Sequence, residues 1–294
     1  LRCRLVSGSW FSDQSLPARC MLPIVTFSSP PERPDNMQAL TLPAAQGWRW
    51  LTDGFRIFRK NHLMLTFLVI SYWMLMAVVN IIPVIGTVVT TLCIPAFSVS
   101  LMNACRNIDR GSPLAPQLLF SGFKSNLRSL LTLGGIYLAS TVGILTISSL
   151  ADDGALMAMM LAGQKPDEEA LSDGSLLLAT QIALVLLCPL VMAYWYAPVL
   201  ASWHGLSPAK ALFFSFVACV RNWRAFLVYS VAILVVATLV PGLILGVLAA
   251  MLPSGAALLT VLMTVLLILV LAPTLFASFY VSYREVFVAV DEDA

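Results

Sequence analysis

Six long apolar runs constrain the fold of this chain more than any other feature of its sequence. Each run is long enough to cross the ~30 Å hydrocarbon core of a membrane, because about 20 apolar residues in a helix suffice. Charged residues make up only 11% of the 294 positions, whereas their share in a soluble domain is about 25%. The sequence therefore predicts an all-α polytopic membrane bundle of six transmembrane helices. The predicted spans are His62–Ile82, Val84–Ala104, Leu127–Leu150, Ser175–Trp203, Ala225–Met251 and Gly255–Tyr283.

The segments that connect the runs differ in charge. Residues 46–62 and residues 105–128 each carry four basic residues and one acid, a net charge of +3. The connection between the fourth and fifth runs is also basic, whereas residues 151–174 hold six acids and one lysine. Basic connections stay in the cytoplasm. The pattern therefore predicts cytoplasmic N- and C-termini and an acidic periplasmic loop at 151–174.

A basic and aromatic phrase occurs three times, each time directly before an outgoing run. The copies read FRIFRKNHLML at 55–65, FSGFKSNLRSL at 120–130 and FVACVRNWRAF at 216–226. Two copies follow a Ser-Pro pair, Ser112-Pro113 and Ser207-Pro208, and this pair is a typical helix start. Each copy thus predicts a short cytoplasmic interfacial helix that bends into the membrane at its asparagine.

The three returning runs also share a feature, a proline about two turns before the cytoplasmic end: Pro95, Pro198 and Pro273. Together with the repeated phrase, these prolines predict three copies of one ~65-residue unit, each a leading helix and a hairpin. The alternative is that similar composition alone makes the segments look alike.

The predicted interfacial helices carry basic stripes. At 100° per residue, Lys210, Arg221 and Arg224 share one face of the third helix. Such a helix lies flat on the membrane, and each cation near an anionic leaflet contributes about 1 kcal/mol. The alternative is that the charges only orient the spans. The residues predicted to contact anionic lipid headgroups are Arg49, Lys60, Lys210, Arg221 and Arg224. On the first helix, the side chains predicted to lie in the membrane are Trp48, Trp50, Phe55 and Phe58.

Signatures of catalysis are missing from the sequence. It has two histidines and no HExxH, Walker or GxSxG motif. We therefore predict no catalytic residue, no metal or cofactor and no nucleic-acid partner. An intramembrane hydrolase that uses His204 and a serine is the weakest of the function classes considered.

The stretch AYWYAP at 193–198 is the best candidate for a pocket. Counting back from His204 at 1.5 Å per residue places Trp195 ~13 Å deep, although Tyr and Trp prefer membrane interfaces. The hydroxyls of Tyr194 and Tyr196 then need partners on other helices, and Gln181 is one candidate. Two interpretations remain open: aromatic packing, or a cluster that contacts a ligand.

Small residues predict close helix packing. Gly242 and Gly246 form a small-xxx-small face on the fifth span, and Gly134, Gly135 and Gly143 form another on the third. Such faces let helices approach closely in lipid. They serve either the bundle itself or a homo-oligomer.

The stretch from GWRWLTDGFRIFRKN to YREVFVAV, at about 44–290, resembles an uncharacterised family of six-span inner-membrane proteins best known from betaproteobacteria. The leading helix plus hairpin is also distantly similar to membrane domains attached to some glycerophosphodiester phosphodiesterases. The first resemblance implies an inner-membrane location and no assigned activity. The second implies no catalytic residue.

These observations divide the chain and limit its function. Residues 1–43 are predicted to be disordered or an upstream extension, with a natural start at Met37, and residues 291–294 form an acidic tail. Residues 44–290 form the transmembrane domain. The predicted function is a non-enzymatic structural or lipid-associated role in the inner membrane, with membrane lipids as partners. The alternative is a small permease or lipid-handling transporter with a pocket near Tyr194–Tyr196.

Overall fold

A computed structural model describes residues 39–82, 84–163, 174–251 and 256–287, and every regular element within them is helical. Six helices of this part of the chain are long and apolar enough to cross a membrane, which confirms the predicted fold class. The start of the chain, with the predicted natural start at Met37, and the acidic tail lie outside the described residues. The spans are His62–Val79, Ile85–Asp109, Leu127–Asp152, Ser175–Trp203, Trp223–Met251 and Ala257–Val286.

A short leading helix precedes the first, third and fifth spans. These leading helices are Gln46–Lys60, Pro116–Lys124 and Pro208–Arg221. The asparagine of each repeated phrase, at 61, 126 and 222, lies between the leading helix and its span, as predicted. Asn222 shows why the residue type suits the bend, because its side-chain amide accepts from the Leu42 N–H and donates to the Leu40 carbonyl, both at 2.8 Å.

The middle leading helix differs from the prediction, because it is a 3₁₀ helix and does not start at Ser112-Pro113. Pro116 is its first residue, and Ala115 before it is extended, as steric contact with a following proline favours. Gly122 packs so closely on the second span that an added Cβ would overlap the Ala96 carbonyl.

Two predicted spans are not continuous α-helices, and a proline explains each interruption. The fourth span ends one helix at Tyr194 and begins another at Ala197, because Pro198 has no N–H to donate to the preceding turn. The fifth span contains a π-helical turn at Val235–Leu239, which ends two residues before Pro241.

The acidic loop predicted at 151–174 is partly helical. The third span continues to Asp152, and a short apolar helix follows at Ala155–Ala162. The Asp152 carboxylate accepts from the N–H groups of Gly154 and Leu156 at 3.1 and 2.6 Å, so this acid stabilises the turn between the two helices. Residues 164–173 lie outside the described part of the chain.

The first leading helix packs on protein along a face that was predicted to lie in the membrane. Trp50 and Phe58 are buried, whereas Trp48 and Phe55 are exposed. Gly54 packs directly on the backbone of Ser278 in the sixth span. The prediction was wrong for Trp50 and Phe58 because glycines on this helix allow a close approach to the spans, which a helical-wheel argument does not take into account.

Within the described residues, the larger buried cluster lies at the end of the bundle where the leading helices are, which we call the leading-helix end. The large buried cluster there draws on leading helices and all six spans. At the opposite end, a small cluster contains Leu145, Leu156 and Ala179. Only 6% of the most apolar stretch of the fourth span is buried by protein, and 11% in the fifth and sixth. Within the described residues, the leading-helix end is therefore the more extensively buried end of the bundle.

Candidate functional site

A cavity of about 490 Å³ lies between the spans where the tight packing ends. All six spans contribute to its wall, and the prolines of two returning spans, Pro95 and Pro198, are part of it. Ligand pockets in proteins range from about 300 to 1,000 Å³, so this cavity is large enough for a small molecule or part of a lipid. Its aromatic side chains are Trp73, Tyr137, Tyr194, Trp195, Tyr229, Phe276 and Phe279.

The cavity lies about half-way along the spans. Tyr137 comes ten residues after the start of the third span at Leu127, or ~15 Å at 1.5 Å per residue. Ala272 comes fourteen residues before Val286, the last residue of the sixth span, or ~21 Å. In a hydrocarbon core ~30 Å thick, both positions are close to the middle.

The break in the fourth span shapes one wall of the cavity. Ser215 of the third leading helix accepts from the Tyr196 N–H and donates to the Met192 carbonyl, both at 2.9 Å. One hydroxyl therefore satisfies two backbone groups that a continuous helix would have paired. The break thereby turns Trp195 toward Phe226 and Phe279, with ring centroids 5.6 and 5.5 Å away.

Two tyrosines of the wall are held by hydrogen bonds to neighbouring spans. The Tyr194 hydroxyl donates to the Leu133 carbonyl at 2.7 Å, and its ring lies 5.1 Å from that of Tyr137. The Tyr229 hydroxyl lies 2.6 Å from Ser278 Oγ. These bonds use the polar tips of both side chains and leave their rings to line the cavity.

The four predicted pocket residues do not all meet there. Tyr194 and Trp195 line the cavity. Tyr196 is not part of the wall: it is fully buried and stacks on Phe279 with a centroid distance of 5.9 Å. Gln181 is exposed, thirteen residues before Tyr194 and therefore ~20 Å along the helix. The expectation that Gln181 partners these tyrosines was wrong, because that distance exceeds the reach of its side chain.

No described residue in the wall of the cavity is charged. A charge without a partner is costly in a low-dielectric surrounding. The wall therefore suits an uncharged, mostly apolar molecule and offers no counter-ion for a charged one.

The predicted headgroup residues lie on the surface at the leading-helix end. Arg49, Lys210, Arg221 and Arg224 are exposed, and within the described residues none of the four forms an ion pair. Lys60 differs, since its ammonium lies 3.7 Å from the Asp109 carboxylate.

Sequence reasoning missed two acids that hold the leading-helix end together. Asp109 accepts from Arg284 at 2.6 Å and from the Tyr280 hydroxyl at 3.1 Å. Glu285 accepts from Gln46 Nε2 at 2.6 Å and from the Trp50 indole at 2.8 Å. The signal was present in the sequence, because both are acids at span ends, but Asp109 was counted only as net charge and Glu285 was not considered.

The third leading helix also has a buried face, and Cys219 lies on it. Burial raises the pKa of the Cys219 thiol to about 12, although a hydrogen bond with Ser215 lowers it in part. The thiol is therefore protonated at neutral pH and is a packing group, as expected of a small buried cysteine.

The two small-residue faces have different surroundings. Gly134 packs on the backbone of Leu92, so the third span does use a glycine to approach the second. Gly143, Gly242 and Gly246 have no atom of the described chain within 4 Å of an added Cβ. The face on the fifth span is thus not used inside the described bundle.

The chain is similar to a curated protein of Burkholderia thailandensis whose name is "Probable inner membrane protein BTH_II0599". The two are 36% identical over 257 residues, which cover 85% of this chain and 94% of that protein. No family model matches the chain, and no solved structure matches it. The six spans and this relative make the chain a multi-pass inner-membrane protein. It belongs to the family of the Burkholderia thailandensis inner-membrane protein.

Proposed function

We propose that this protein is a non-enzymatic inner-membrane protein that binds an apolar, lipid-like molecule in the aromatic cavity. The observation that carries the proposal is a cavity of about 490 Å³ half-way along the spans, whose described wall has seven aromatic side chains and no charged one. This favours lipid handling over a purely structural role, because a packed bundle needs no such space.

The low burial of the apolar spans supports access from the membrane. Protein buries little of the most apolar stretch of the fourth, fifth and sixth spans, whereas the leading-helix end is closed by the buried core and by the bonds of Asp109 and Glu285. By the charge distribution, the closed end faces the cytoplasm. A lipid-like molecule then reaches the cavity from the outer half of the membrane.

The contacts of Ser202 and His204 favour a non-enzymatic role. Ser202 Oγ lies 2.7 Å from Ser125 Oγ, and His204 Nε2 lies 2.6 Å from the Tyr283 hydroxyl. A serine nucleophile needs a base within hydrogen-bond reach, and the serine nearest His204 in sequence instead bonds another serine. The distant likeness to membrane domains of glycerophosphodiester phosphodiesterases remains a prediction and contributes no residue to the proposal.

A structural role in a homo-oligomer is the second candidate. Gly242 and Gly246 favour it, because they form a small-residue face that the described bundle leaves uncovered. This role is compatible with a ligand in the cavity, so the two candidates need separate tests.

Native mass spectrometry of the full chain, extracted in mild detergent, tests cavity binding. We expect the measured mass of the wild type to exceed that of the bare chain by the mass of one apolar molecule. Ala272→Phe places a ring in the cavity wall and should abolish the shift, whereas Ala139→Phe, on an exposed face of the third span, should keep it. A bare wild type, or equal retention by both variants, would contradict the proposal.

A further inference from the structure

The polar groups of the cavity wall fall into two classes. The hydroxyls of Tyr194, Tyr229 and Thr91 all have protein partners: the Leu133 carbonyl, Ser278 Oγ and the Thr87 carbonyl. The hydroxyls of Ser98 and Tyr137 and the indole N–H groups of Trp73 and Trp195 also belong to wall residues, and none of them bonds to any residue that the structure describes.

Ser98 lacks a hydrogen bond within its own helix. Some hydroxyls in the spans donate to the carbonyl four residues earlier, as Thr132, Thr146 and Ser148 do at 2.9 Å. Ser98 lies in the second span and has no such bond to Ile94, although the structure describes both residues. Its hydroxyl is therefore available at the cavity wall.

The groups without a described partner are donors contributed by four different spans. Trp73, Ser98 and Tyr137 come from the first, second and third spans, and Trp195 comes from the fourth. An indole N–H is a donor only, and a hydroxyl can donate. In the middle of a membrane no bulk water satisfies a donor, so an unbonded donor there is costly. An occupant that accepts hydrogen bonds removes that cost.

We infer that the occupant of the cavity is an apolar chain bearing a carbonyl group, whose oxygen accepts hydrogen bonds from Tyr137 and Ser98. This inference rests on the proposed function. A carbonyl oxygen has two lone pairs and can accept from both hydroxyls. A free carboxylate is disfavoured, because no cation lines the described wall. The shared chemistry comes from two sources, an acyl ester of a lipid or a quinone with an apolar tail.

Tryptophan fluorescence provides a test, because Trp195 lies in the wall and bromine atoms quench its emission. Two probes of equal chain length are compared on the delipidated full chain in detergent: a dibrominated fatty acid methyl ester and the corresponding dibrominated alkane. The quenching lost in Trp195→Phe defines the part of the signal that comes from Trp195. A decyl benzoquinone, which itself quenches tryptophan, replaces the ester in a second series, and the tighter binder identifies the source.

We expect the wild type to bind one carbonyl probe about tenfold more tightly than the alkane, the effect of one net hydrogen bond. In the double variant Tyr137→Phe/Ser98→Ala, that preference should fall to about twofold or less, with alkane affinity unchanged. Tyr72→Phe, a tyrosine outside the cavity wall, is the matched control and should keep the preference.

The outcomes separate this inference from the proposed function. An equal preference in the wild type and the double variant would overturn the carbonyl inference and leave cavity binding intact. If every probe quenches the tryptophan emission of Ala272→Phe as strongly as that of Ala139→Phe, the probes do not bind in the cavity. The proposed function then fails as well. Loss of the preference in Tyr72→Phe as well would also contradict the assignment to Tyr137 and Ser98.

Discussion

At the residue scale, a few polar side chains do the work that water does in soluble proteins. Ser215 pairs two backbone groups at the break in the fourth span, and the Asn222 amide pairs the backbone of Leu40 and Leu42 at the bend of the third repeat. Such groups cannot be left unpaired inside a membrane at low cost. The sequence locates the asparagines through their repetition, whereas nothing around Ser215 distinguishes it from other serines.

Replacement of Ser215 by alanine tests this role. The variant leaves the Tyr196 N–H and the Met192 carbonyl without their partner, and we expect the free energy of unfolding to fall by about 1–3 kcal/mol. Ser230→Ala, on an exposed face of the fifth span, is the control and should change stability little. Thermal unfolding in detergent measures both. Equal melting temperatures would show that the break does not depend on this hydroxyl.

At the element scale, the sequence predicted which segments are helices better than how they pack. The length of the apolar runs predicted all six spans, and the three repeated asparagines predicted the bends between each leading helix and its span. The face of the first leading helix was wrong for Trp50 because burial depends on Gly54, whose role appears only when the sixth span lies against it. The same limit applies to Gln181, since helical periodicity does not report depth along the bundle.

Two glycine-to-alanine substitutions distinguish the effect of close helix packing on stability from the effect of helix propensity. Gly54→Ala adds a methyl group that overlaps the Ser278 backbone, so we expect a loss of about 1–3 kcal/mol and a displaced leading helix. Gly143→Ala has open space and should be neutral or stabilising by up to about 1 kcal/mol. Thermal melting of the two variants checks the prediction. If both shift in the same direction, the close approach at Gly54 is not what positions the helix.

Over the bundle as a whole, charge distinguishes the two ends, because the leading-helix end is basic and the opposite end carries the acids Asp152 and Asp153. We expect the basic end to hold anionic phospholipid at the cytoplasmic face, because its exposed cations Arg221 and Arg224 form no ion pair with any described acid. The double variant Arg221→Gln/Arg224→Gln is released from nanodiscs that contain phosphatidylglycerol and is measured by native mass spectrometry. We expect it to carry fewer bound anionic lipids than the wild type.

The control for this measurement is Arg56→Gln, which removes a cation already paired with Asp53. It should retain the wild-type number of anionic lipids. Equal lipid counts in the double variant and the control would mean that the charges only orient the spans, which is the alternative considered from the sequence.

An electron cryomicroscopy structure in lipid nanodiscs is the most direct test of whether the cavity between the six spans holds an apolar molecule. We predict elongated density in the cavity, between Tyr137 and Trp195. A cavity closed by inward movement of its aromatic side chains, with no such density, would contradict it.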